Sequence, residues 1–178
     1  MLILLSSIMS CQKESTNTES TAASESTERT GQAFIADDGS KPNALQIAIG
    51  SKDHTTLVAA VQAAKLENAL VNVGPLTVFA PTNDAFKALP EGTVETLLKP
   101  ENIDKLKDIL EYHVTPGNLS VEILTKLKKL GQANNQDVLV EVVDGKPVIG
   151  GANIIASVPA GNGIVHVVDK VLVPAEKK

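Results

Sequence analysis

Aromatic residues are almost missing from this chain: among 178 residues there is no Trp, one Tyr and three Phe. A core must therefore be filled with Ala, Val, Leu and Ile, drawn from an apolar content of 43%. The same scarcity excludes the aromatic platforms on which proteins stack bases. Cysteine is reduced to Cys11 alone, so no intramolecular disulfide can form. No HExxH, CxxC, GxSxG, Walker A or dinucleotide glycine pattern occurs, and none of His54, His113 and His166 pairs with another at metal-ligand spacing. Neither an enzyme nor a cofactor is expected. Positive charge is scarce as well. The formal net charge is −5, and residues 12–40 carry two basic against six acidic residues, which leaves 14 against 15 in residues 41–178. A near-neutral domain has no electrostatic footprint for nucleic acid, and Lys126, Lys128 and Lys129 read as a solvated face.

What is present begins with Met1 to Ser10, MLILLSSIMS, an apolar run far shorter than the roughly 20 residues a membrane-spanning helix needs. Residues 1–10 have the outline of a signal peptide with a small residue at the cut. Ile8-Met9-Ser10-Cys11 resembles the bacterial lipobox, which would make Cys11 a lipid anchor, although Met9 and the lack of a preceding Lys or Arg depart from that pattern. Residues 11–40 then read as a tether. From Gln12 to Gly31 nearly half the positions are Ser or Thr, and no large apolar residue offsets the entropy of ordering them.

The folded part is expected over residues 41–175, with 176–178 a tail. Pro42-Asn43 opens a helix carrying Ala44, Leu45, Ile47, Ala48 and Ile49, which Gly50-Ser51 closes. A second helix carries Leu57, Val58, Val61 and Ala64, with a turn at Asn72 to Pro75. Leu76 to Phe86, LTVFAPTNDAF, reads as a strand stopped by Ala80-Pro81 and joined to a short helix capped by Thr82 or Asn83. A helical turn at Val94 to Leu98 follows. Ile103, Leu106, Leu110 and His113 then share one helical stripe, which puts Tyr112-His113 on its last turn. Ser120 to Leu130 reads as another amphipathic helix. From Asp137 the period becomes two: a hairpin folds across Asp144-Gly145, a third strand covers Asn153 to Val158, and Gly163 to Val173 forms a central strand covered on both sides.

Three stretches together, TVFAPTNDAF (77–86), EYHV (111–114) and NGIVHVVDKVLVP (162–174), resemble the conserved blocks and the Tyr-His motif of the fasciclin-like, or Big-h3, domain. The resemblance covers Asn43 to Pro174. It implies an α+β fold, a bent β-sandwich or wedge of about seven strands flanked by several N-terminal α-helices, in keeping with the helices-first order of the chain. It also implies an adhesion or protein-interaction module on a cell surface or in a bacterial envelope, with a protein or extracellular-matrix partner and no reaction. Animal members of that family engage integrins through the Tyr-His region, which Tyr112-His113 matches here. Some algal relatives bind carotenoids, so a carrier of an apolar small molecule is the alternative. A monomer is expected.

The candidate site residues are therefore Thr82, Asn83, Asp84, Tyr112, His113 and His166, besides the anchor at Cys11. His113 reads as a core-facing histidine bonded to the corner at Thr82, Asn83 and Asp84, with partner contact alongside Tyr112 or general-base work with Asp84 as the functional alternatives. His166 reads as a satisfied interior histidine, and Asp84 as a carboxylate at a helix start. On this reading the motif braces the fold, and any partner surface lies beside it.

Overall fold

The structure, a computed structural model, describes residues 41–174 apart from Val73 and Glu91. The expected signal peptide, the expected anchor at Cys11 and the expected tether lie outside the described residues.

The first layer is helical. Helix α1 (Ala44–Gly50) starts with a capping box: the Asn43 side chain accepts from Gln46 N, and the Gln46 side chain accepts from Asn43 N, both at 2.8 Å. Helix α2 (Thr55–Ala63) follows a single 3-10 turn at Lys52–His54. It ends where Lys65 takes φ 56, and that reversal starts α3 (Glu67–Asn72), a helix the sequence reading did not include. Strand β1 (Leu76–Pro81) leads into α4 (Asn83–Lys87), which Thr82 caps by accepting from Ala85 N at 3.3 Å. Helices α5 (Thr93–Leu97) and α6 (Ile103–Glu111) complete the helical half.

Beyond them run β2 (Val114–Pro116), α7 (Val121–Leu124), β3 (Lys129–Gly131), β4 (Asp137–Val143), β5 (Lys146–Ile149), β6 (Ala152–Ala160) and β7 (Gly163–Val168). Among the described residues seven strands lie in one sheet, in the order β2-β1-β7-β6-β5-β4-β3. β1 and β7 are parallel, with Phe79 opposite His166, and the other pairs are antiparallel. The sheet bends at β6. Ala152 and Asn153 pair with β5, whereas Ile154 to Ala160 pair with β7, and the register shifts between Ile154 and Ala156. The far edges approach each other as well, because Ala133 N donates to Val114 O at 2.8 Å. The result is an α+β fold whose seven-stranded sheet is nearly closed and flanked by helices.

Two expectations are corrected. Of the helix expected over Ser120 to Leu130, only Val121–Leu124 is helical, and Lys129–Gly131 pairs with β4, Leu130 opposite Val138. A buried strand position for Leu130 outweighs a weak helical pattern. The strand expected to run to Val173 ends at Val168. Asp169 turns back to accept from Asn153 N and Nδ2 at 2.8 and 2.7 Å, and the chain beyond it leaves the sheet.

β1 and β7 separate two apolar clusters. One joins α1, α2 and α6 to Ala80 and Val165, and the other gathers Phe79, Tyr112, Leu124, Val138, Ile149, Val168 and Leu172.

Candidate functional site

The motif residues sit where α6, β1 and the C-terminal segment meet. His113 lies just past the end of α6, almost completely buried, with its Nδ1 2.7 Å from Ile109 O and its Nε2 2.9 Å from Leu172 N. A carbonyl can only accept and an amide N–H can only donate, so the proton sits on Nδ1 and Nε2 accepts. The backbone takes part too: His113 O accepts from Phe79 N at 2.8 Å. One residue thus ties helix, central strand and C-terminal segment together. Burial pushes the imidazole down to about 4, with the Ile109 bond opposing that shift.

The expected partners of His113 are replaced. It bonds neither to Thr82, Asn83 nor Asp84, because each of these is committed elsewhere. Thr82 caps α4. Asn83 accepts from Thr55 Oγ1 and Thr56 N at 3.2 and 3.0 Å and donates to Lys52 O at 3.0 Å, joining the starts of α2 and α4. Asp84 stands in solvent, paired with Lys87 at 2.8 Å. Among the described residues no carboxylate is bonded to His113, whose ring nitrogens are taken by Ile109 O and Leu172 N.

Tyr112 is buried on the opposite side of the sheet and donates to Asp137 O at 3.3 Å; burial, then the Asp137 carboxylate, pushes its phenol up. His166 is fully buried, stacked on Phe79 at 5.7 Å between centroids. Its Nε2 donates to Leu119 O at 2.8 Å, so Nδ1 accepts from Ser157 Oγ at 2.7 Å, and burial lowers its pKa against that Leu119 bond. The structure therefore brings His113 and His166 to the two sides of Phe79 but leaves the Thr82 to Asp84 corner apart from both.

Sequence reasoning missed two features. His54 is buried, with Nδ1 2.8 Å from Ser51 Oγ and, among the described residues, no hydrogen-bond partner for Nε2. Burial lowers its pKa, opposed by Asp53 and by the Ala80 backbone, which lies close without completing a bond. The second feature is a pair of apolar cavities, of about 190 and about 140 Å³, meeting at Leu57, Leu110 and His113. The larger lies under α1 and α3, against Leu76 and Val78 of β1; the smaller lies between α5 and the segment at Val171. Apolar periodicity marks these faces as buried but carries no sign of where packing leaves room. Among the described residues no group of three or more His, Cys, Asp or Glu is placed to hold a metal ion.

A family model described as the Fasciclin domain matches residues 52–174. Protein sll1483 of Synechocystis is 45% identical over 86% of this chain and 85% of its own length, and the uncharacterized protein sll1735 of the same organism is 40% identical over 74% and 97%. Transforming growth factor-beta-induced protein ig-h3 of Sus scrofa is 37% identical over 75% of this chain, which spans only 20% of that protein. A solved FAS1 domain pair from the insect cell adhesion molecule Fasciclin I aligns over 72% of this chain and 43% of its own, at 22% identity and a TM-score of 0.44.

Proposed function

The chain belongs to the fasciclin domain family, a class of non-catalytic modules generally involved in adhesion and protein interaction, and on that premise we propose that it is an envelope-anchored contact domain. In this reading a lipid on Cys11 and the polar stretch to residue 40 hold residues 41–175 off a bacterial membrane, and the domain binds a protein or matrix component at the cell surface. The observation that carries it is the state of the family motif. His113, His166 and Asn83 have their side-chain polar atoms committed to internal hydrogen bonds, which suits a brace and leaves contact to the surface. The surface offers one: Glu141 to Lys146 are exposed without a break, so the tip of the β4–β5 hairpin projects into solvent and bares Val142 and Val143.

Crosslinking in the native cell, followed by identification of the captured partner, tests the proposal. Capture is expected from the full chain and is expected to fall for Val142→Lys with Val143→Lys. Cys11→Ser is expected to release the protein from the membrane fraction. Unchanged fractionation of that variant would remove the anchor, and no specific capture at all would remove the adhesion reading.

The cavities favour a second reading, a carrier of an apolar small molecule. It ranks behind the first because the larger cavity, at about 190 Å³, falls short of the roughly 300 Å³ at which ligand pockets begin.

A further inference from the structure

Ser157 and His166 join an exposed serine to a buried base. Ala160 and Gly163 close the β6–β7 hairpin across Gly161 and Asn162, so they form a hydrogen-bonded pair, as does every second pair back along β6. Ser157 and His166 fall on a non-hydrogen-bonded pair, where facing side chains approach most closely. Their 2.7 Å contact between Oγ and Nδ1 follows from that register. By the same register the Ser157 N–H points away from β7, to the side of β6 where no strand lies among the described residues.

The ring is held in one tautomer from behind. His166 Nε2 donates to Leu119 O at 2.8 Å, Leu119 N donates to Thr77 Oγ1 at 2.9 Å, and the fully buried Thr77 donates to Gly117 O at 2.8 Å. Burial, opposed by the Leu119 bond, lowers the pKa of the imidazole and keeps it neutral. A neutral base aimed at a hydroxyl and fixed by a third group is the arrangement that activates a serine. Ser51 and His54 supply the contrast. Their contact is 2.8 Å, but Ser51 Oγ also accepts from Asp53 N, and among the described residues nothing bonds His54 Nε2 to fix its tautomer.

We propose that Ser157 is a modification site, a hydroxyl primed by His166 to take the acyl group of an activated ester. Ile155 and Pro159, two residues to either side, are exposed like Ser157 itself, and Ala152 to Ala160 carry no charge, which suits an apolar acyl chain. In the step, Ser157 Oγ attacks the ester carbonyl carbon and its proton passes to His166 Nδ1. The Ser157 N–H, outside the β6–β7 ladder, is the donor left for the oxyanion. The bond from the carbonyl carbon to the leaving oxygen then breaks, the leaving alcohol takes the proton from Nδ1, and the acyl group stays on Oγ. His166 returns to its starting tautomer and the product is an acylated chain, so the step is a single modification and the module remains non-catalytic.

The test is p-nitrophenyl butyrate on the purified full chain, with each adduct located by peptide mass spectrometry. A butyryl group on Ser157 is expected, formed about 100-fold or more faster than on the same chain unfolded in urea. His166→Gln, which keeps a hydrogen-bonding group but no base, is expected to bring the rate at Ser157 down to that of the unfolded chain, with circular dichroism reporting whether the variant folds. The comparison with urea needs no variant and decides the matter alone if it does not. No label on Ser157, or labelling no faster than in urea, overturns the proposal and leaves the serine as a hydrogen-bond partner of a buried ring. Equal labelling of Ser51 also overturns it, because the held tautomer would then confer nothing.

Discussion

His113 holds its place only while neutral, because Nε2 must accept from Leu172 N. Its folded pKa, about 4, lies below the ordinary value of 6.5, so the unfolded chain takes up the proton first as pH falls. The stability this histidine supplies is therefore complete above about pH 6.5 and is lost between there and pH 4, by about 3 kcal/mol for a fully buried group. His54 and His166, whose pKa values burial also lowers, act in the same direction. Urea unfolding across that range is expected to show the loss, and His113→Gln to flatten it while lowering stability near neutral pH. An unchanged slope in the variant would assign the acid sensitivity to other groups. Two neighbours at the corner separate in the same way. Asn83→Ala removes three hydrogen bonds between helix starts and is expected to cost about 1 to 3 kcal/mol, whereas Asp84→Ala, an exposed partner of an exposed lysine, is expected to leave the unfolding midpoint unchanged. Residue types and order made the corner visible in the sequence. The destination of each hydrogen bond was not visible, because Leu172 and Ile109 reach His113 only through tertiary packing.

Elements with a local cause were legible. Asn43 caps α1, Thr82 caps α4, and Asp144-Gly145 turns the hairpin with both residues at positive φ, 50 and 77. Elements with a distant cause were not. Lys129–Gly131 is a strand because β4 lies beside it, and α3 exists because Lys65 breaks α2 with a positive φ that no residue type announced. Pro159 shows what an element reveals once its neighbours are known. Its missing N–H is tolerated because β6 beyond Asn153 has no strand on its β5 side, which makes that stretch an edge among the described residues. Gly163 is the tightest requirement of all. Its φ is 151, and a Cβ there would lie 1.8 Å from Leu76 O, in the register that starts the β1–β7 pair. Gly163→Ala must push β7 away from β1, and a loss of about 3 kcal/mol or more is expected in chemical unfolding. A loss below about 1 kcal/mol would mean that the strand ends separate without disturbing the core.

At the scale of the whole molecule, two apolar clusters share one pair of strands. The helical cluster leans on Ala80 and Val165, and the other on Phe79 and Val168, the adjacent or near-adjacent residues of β1 and β7 whose side chains alternate across the sheet. Neither cluster can lose its wall without exposing the other. His113 adds a second link, since it lines both cavities on the helical side while bonding Leu172 of the opposite cluster. The domain is therefore expected to unfold as one unit, although its helices and its hairpins are separate stretches of sequence. The composition makes this measurable. The only tyrosine, Tyr112, belongs to the second cluster, and no tryptophan masks its fluorescence, whereas far-UV circular dichroism is dominated by the helices that build the first. Urea transitions followed by the two signals should superimpose. In Leu172→Ala, which strips the C-terminal segment of its buried anchor, both curves should move together to lower urea, by about 2 to 5 kcal/mol. If the tyrosine signal moved alone, the clusters would be independent folding units, and β1 and β7 would be a partition between them and not a shared wall.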